Sequence, residues 1–122
     1  MTDQRSFNKF ENELVHQYRK NVGAAESMED VKKHFARTVC ELLAKASDDA
    51  VRCRHEDVVL VTDGTPTYRL AEAITGQPAF QAMWQGSDLP AILARLAEPA
   101  VHRHMHLAKH PEKTNAKMYH NQ

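Results

Sequence analysis

"AVRCRHEDVVLVTDGTPTYRLAE", residues 50–72, decides the fold class. The residues on either side of it read as helix, and this stretch does not. Val51, Cys53 and His55 alternate with Arg52 and Arg54 at a two-residue period, and "VVLVT", residues 58–62, is a compact apolar run rich in β-branched side chains. Asp63-Gly64 is a short-range turn signal, so residues 58–62 and 67–70 are expected to pair as an antiparallel hairpin. Pro66 has no N–H to give a ladder and favours an edge position for the returning strand. Residues 51–55 fit either a third strand or an extension of the preceding helix.

Upstream, "SFNKFENELVHQYRKNVG", residues 6–23, places Phe7, Phe10, Leu14 and Tyr18 on one helical face. Ser6 suits the N-cap, Gly23 the position just past the end, and His16 falls opposite the apolar stripe. "SMEDVKKHFARTVCELLAKASDD", residues 27–49, opens on a capping pair of Ser27 and Asp30. It gathers Val31, Phe35, Thr38, Val39, Leu42, Leu43 and Ala46 on one broad face. Cys40 lies at the margin of that face and reads as a small hydrophobe. The short link between the two helices predicts an αα-hairpin.

Downstream, "GQPAFQAMWQG", residues 76–86, reads as a short helix with Pro78 in its first turn, Gly86 past its end, and Phe80, Met83 and Trp84 on one side. The lone Trp84 is expected in the core or at an interface. In "SDLPAILARLAEPAVHRHMHLAKHPEK", residues 87–113, Ser87 or Asp88 caps a long helix, and Leu89, Leu93, Leu96, Ala100 and Leu107 form its apolar stripe. Pro99 lies inside the pattern, where its ring crowds the preceding turn, so a kink or a break is expected there. The fold class is therefore α+β. It comprises an N-terminal αα-hairpin, a small antiparallel β-hairpin or three-stranded sheet, and a C-terminal helix kinked near Pro99. The 122 residues suit one domain, with residues 112–122 a loose polar tail.

Composition narrows the function classes. With 42% hydrophobic and 26% charged residues, the chain is an ordinary globular one. No apolar run approaches the ~20 residues of a membrane span, and the first residues lack a basic and apolar leader pattern. Two cysteines, Cys40 and Cys53, are too few for the usual disulfide framework. These points together lead to the expectation of a cytoplasmic protein with reduced thiols. Net charge is zero, although Arg103, Lys109, Lys113 and Lys117 make the end of the chain basic. A whole-domain basic footprint for nucleic acid is missing.

"HRHMHLAKH", residues 102–110, is the chief candidate for chemistry. His102 and His106, and His106 and His110, are i,i+4 pairs that can share a divalent metal, as two histidines do in HExxH. Arg103 stands where a metalloprotease has its general base, so no hydrolytic site follows. Further zinc or other transition-metal ligands would have to come from His104, Glu112, His120 or the segment Cys53, His55, Glu56 and Asp57. The plainer reading is a helix end, with His104 in the apolar stripe as a buried or interfacial, hydrogen-bonded histidine and His106 and His110 favourable to the helix dipole when protonated.

No GxGxxG, Walker or GxSxG motif occurs. "TDGTPT" is too poor in glycine to cradle a phosphate, and Cys53-Arg54-His55 lacks a third orienting group for a nucleophile. Glu29-Asp30, Asp48-Asp49 and Glu56-Asp57 fit helix ends, turns or solvated faces. No small-molecule substrate, catalytic residue or cofactor is identified. The expectation is a non-enzymatic, homo-oligomeric adaptor or regulatory accessory protein acting through protein–protein interaction. Its alternatives are a metal-binding or metal-sensing module using His102, His106 and His110, and a nucleic-acid accessory protein using the basic tail. The second helix is as acidic as it is basic, which argues against a nucleic-acid partner.

Overall fold

The structure is a computed structural model in which residues 6–109 are described. Helix α1 (Asn8–Ala24) and helix α2 (Met28–Ser47) form the expected antiparallel hairpin. Ser27 caps α2 as anticipated, its Oγ accepting the Asp30 amide at 3.1 Å. The apolar residues assigned to α2 are buried, with Ala46 half-buried at the end. α1 departs from expectation at both ends. Gly23 lies inside the helix, and Ala25 ends it. Ser6 is not the N-cap. Instead the Phe7 amide and the Ser6 hydroxyl both donate to Asp88 at 2.9 Å, so a carboxylate 81 residues away satisfies the start of α1. A negative charge there also suits the helix dipole.

Asp88 precedes helix α5 (Leu89–Lys109), whose own first amide, that of Leu89, donates to Ser87 Oγ at 3.2 Å. α5 runs parallel to α1 and clamps it at intervals. Arg95 makes a two-point ion pair with the buried Glu11, at 2.8 and 3.0 Å. Arg103 Nε and Nη2 donate to the Ala25 carbonyl at 3.0 and 2.7 Å, satisfying the end of α1. α5 is one continuous helix through Pro99, not two. Pro99 cannot donate to the Arg95 carbonyl, and the weakened turn is held from outside by the buried Tyr18 hydroxyl, which donates to the Leu96 carbonyl. Burial raises the Tyr18 pKa far above the ordinary phenol range. The expected stripe of Leu89, Leu93, Leu96, Ala100 and Leu107 is buried. With Phe35, Val39, Leu42 and Leu43 of α2, it makes the core.

Strands β1 (Val58–Leu60) and β2 (Tyr68–Leu70) form a two-stranded antiparallel sheet with Val59 opposite Arg69. The hairpin is as predicted, and the third strand is absent among the described residues. Residues 51–54 are neither strand nor helix. They form an extended strap leading to a 3-10 turn at His55–Asp57. Two short helices follow the sheet, an unanticipated α3 (Glu72–Thr75) and the expected α4 (Pro78–Trp84), with Gly86 at φ 64° beyond it.

The expectation of reduced thiols is overturned, because Cys40 and Cys53 are joined in a disulfide with Cα atoms 5.2 Å apart. The cause is the turn after α2. Asp48 and Asp49 both take left-handed backbone conformations, at φ 56° and 67°, and reverse the chain. The Val51 amide then donates to Ser47 Oγ at 3.0 Å, Val51 is buried, and the strap carries Cys53 back beside Cys40.

Candidate functional site

The ladder fixes which way the backbone of β2 points. Val61 donates to the Thr67 carbonyl at 2.8 Å and Ala71 to the Asp57 carbonyl at 2.9 Å, on either side of the Val59–Arg69 pair. Hydrogen-bonded pairs alternate along antiparallel strands. The N–H and C=O of Tyr68 and Leu70 therefore point to the outer edge of β2, beside which no strand lies among the described residues.

A groove of about 430 Å³ lies along that edge. Pro66, Tyr68 and Leu70 line one wall, Phe80 and Trp84 of α4 line another, and Arg69 contributes the charge. Phe80 is buried and Trp84 half-buried, their rings stacked with centroids 4.9 Å apart. The size and mixture of aromatic, aliphatic and a few polar groups are those of a binding cleft.

α4 buries Phe80 and Met83 in the core and is further held by Gln77. Its Oε1 accepts the Arg52 amide at 2.9 Å, and its Nε2 donates to the Arg52 carbonyl at 2.7 Å and to the Ala73 carbonyl at 2.8 Å. One side-chain amide thus imitates a strand partner for the strap. Gln81 adds a bond to the Thr75 carbonyl at 3.0 Å. On the other side, the Tyr68 hydroxyl reaches the Pro90 carbonyl at 3.5 Å, tying β2 to the start of α5.

The histidines lie elsewhere. His102 and His106 are exposed on α5, and His104 is half-buried. Burial, and after it the charge of Lys32, lowers the His104 pKa. His110, Glu112 and His120 lie outside the described residues. Among the described residues no three His, Cys, Asp or Glu side chains are grouped to hold a metal. Cys53, offered as a ligand or nucleophile, is spent in the disulfide, and His55, Glu56 and Asp57 sit in the 3-10 turn.

The groove is the feature that the sequence reading missed. Asp63-Gly64, Pro66 and the i,i+4 pair of Phe80 and Trp84 each gave one part of it, but no signal placed α4 against β2. No helix among the described residues is long and apolar enough to cross a membrane. No known protein family, curated protein or solved structure matches the chain.

Proposed function

We propose that the chain is a non-enzymatic protein-interaction module, an adaptor or regulatory accessory protein of the cytoplasm, and that an extended segment of a partner adds to the outer edge of β2. The observation that carries this reading is the coincidence of an open backbone edge with an apolar groove. The edge offers the N–H and C=O of Tyr68 and Leu70, and the groove offers room beside them for alternate side chains of the incoming strand. Arg69 favours an acidic residue in that segment. A second copy of the chain is the competing occupant, since an unprotected edge also invites self-association.

Selection of random linear peptides on the oxidised protein tests the reading. The selected peptides are expected to shift the amide resonances of Tyr68 and Leu70. They are also expected to lose about tenfold or more in affinity for Leu70→Pro, which removes one outward N–H from a non-hydrogen-bonded position, and for Trp84→Ala. Peptides that map elsewhere, or bind both variants unchanged, would overturn it. A dimer in sedimentation that dissociates in Leu70→Pro would assign the edge to a second copy.

A further inference from the structure

The two cysteines sit at one end of a chain of contacts that reaches the groove. The strap after α2 is anchored at Val51, which is buried and bonded to Ser47, and again at Cys53, which is bonded to Cys40. Between these anchors lies Arg52, whose N–H and C=O both bind the side chain of Gln77. Gln77 immediately precedes α4, and α4 carries Phe80 and Trp84, one wall of the groove. The core of α1, α2 and α5 is clamped by contacts that do not involve the strap.

We infer that the Cys40–Cys53 bond is a redox switch on the groove, holding Arg52 where Gln77 can grip it and so holding α4 against the edge of β2. The inference rests on the groove being a binding site, but its structural half can be measured without a ligand. The reductant is a dithiol. Its thiolate attacks Cys53, the more exposed of the two cysteines, and the S–S bond breaks. Cys40 leaves as a thiolate and takes a proton. The reductant's second thiolate then attacks the mixed disulfide, and Cys53 leaves and takes the second proton. The protein gains two electrons and two protons, and the reductant ends as its own disulfide. The strap then spans from Val51 to the 3-10 turn without its anchor at Cys53, its grip on Gln77 loosens, and α4 is held against the edge by its buried Phe80 and Met83 alone.

Trp84 is the chain's one tryptophan and reports on α4 directly. The test compares amide exchange and Trp84 emission in the full chain before and after dithiothreitol, with circular dichroism as a check on the helices. Reduction is expected to speed exchange across residues 79–84 by about tenfold and to shift Trp84 emission to the red. The central amides of α1, α2 and α5 should be unchanged, and reoxidation should restore the first state. Cys40→Ser/Cys53→Ser should behave as the reduced protein, and Gln77→Ala should show fast α4 exchange while still oxidised. Equal α4 exchange in both states would overturn the switch. So would a global loss of helix on reduction, which would make the disulfide a staple and nothing more. If selected peptides bind the groove equally in both states, the switch fails and the groove stands. If α4 responds to reduction but no peptide binds there in either state, the groove reading fails and the switch, as a control of binding, fails with it.

Discussion

His104 sits on α5 with its ring half-buried, and its pKa is lowered first by burial and second by the charge of Lys32. In the unfolded chain a histidine takes up its proton near pH ~6.5, whereas the folded protein takes it up only at lower pH. Across that window the unfolded state binds more protons, so stability is present above pH ~6.5 and is lost as pH falls. The urea midpoint is expected to drop between about pH 7.5 and about pH 5.5, and to drop less in His104→Gln. An equal drop in both proteins would show that the titration belongs to another group. The helical period placed His104 in the apolar stripe, but its cationic neighbour could not be read from the sequence. Lys32 lies 72 residues earlier, and the antiparallel packing of α2 on α5 brings it close. The same holds for Glu11, a charged residue on the flank of the α1 stripe that is buried because Arg95 meets it.

At the scale of elements, α1, α2, α4 and α5 were legible because each carries an apolar face at a 3.6-residue period, the four-residue α3 was not, and the hairpin was legible because β-branched residues flank Asp63-Gly64. Caps made by neighbouring residues, such as Ser27, could also be read. Those made by distant ones, Asp88 on α1 and Arg103 on its far end, could not, since they depend on α5 lying parallel to α1. The largest omission was the turn after α2. A glycine there would have announced a left-handed end, but the chain has Asp48 and Asp49. Both carry a Cβ into a region that glycine enters freely, and both put negative charge at the end of a helix whose dipole disfavours it. Asp48→Gly is therefore expected to stabilise the protein by about 0.5–1 kcal/mol, read as a higher urea midpoint at unchanged slope. A loss of stability would instead assign the Asp48 carboxylate a favourable role in reversing the strap.

For the whole molecule, the question is whether its reactive surface is the groove or the histidines. A structural zinc site needs four donors in tetrahedral array, and a catalytic one needs three. α5 offers His102 and His106 on its exposed side, and among the described residues no third donor joins them. Two imidazoles one turn apart fall short of either count, so they would hold Ni²⁺ or Zn²⁺ from a resin or a buffer only weakly. The groove lies along the sheet's open edge, where β2 and α4 meet, and the proposed pairing with an extended chain needs no metal. Untagged protein purified without metal-affinity resin should therefore give a native mass spectrum at a whole-number multiple of the chain mass, with no added metal. The multiple itself reads the expected self-association. If the mass is a dimer that Leu70→Pro returns to the monomer, β2 pairs with its own copy. If a whole-number addition of zinc or nickel per chain survives dialysis and is lost in His106→Ala, the histidines are the functional surface and the groove is secondary to them.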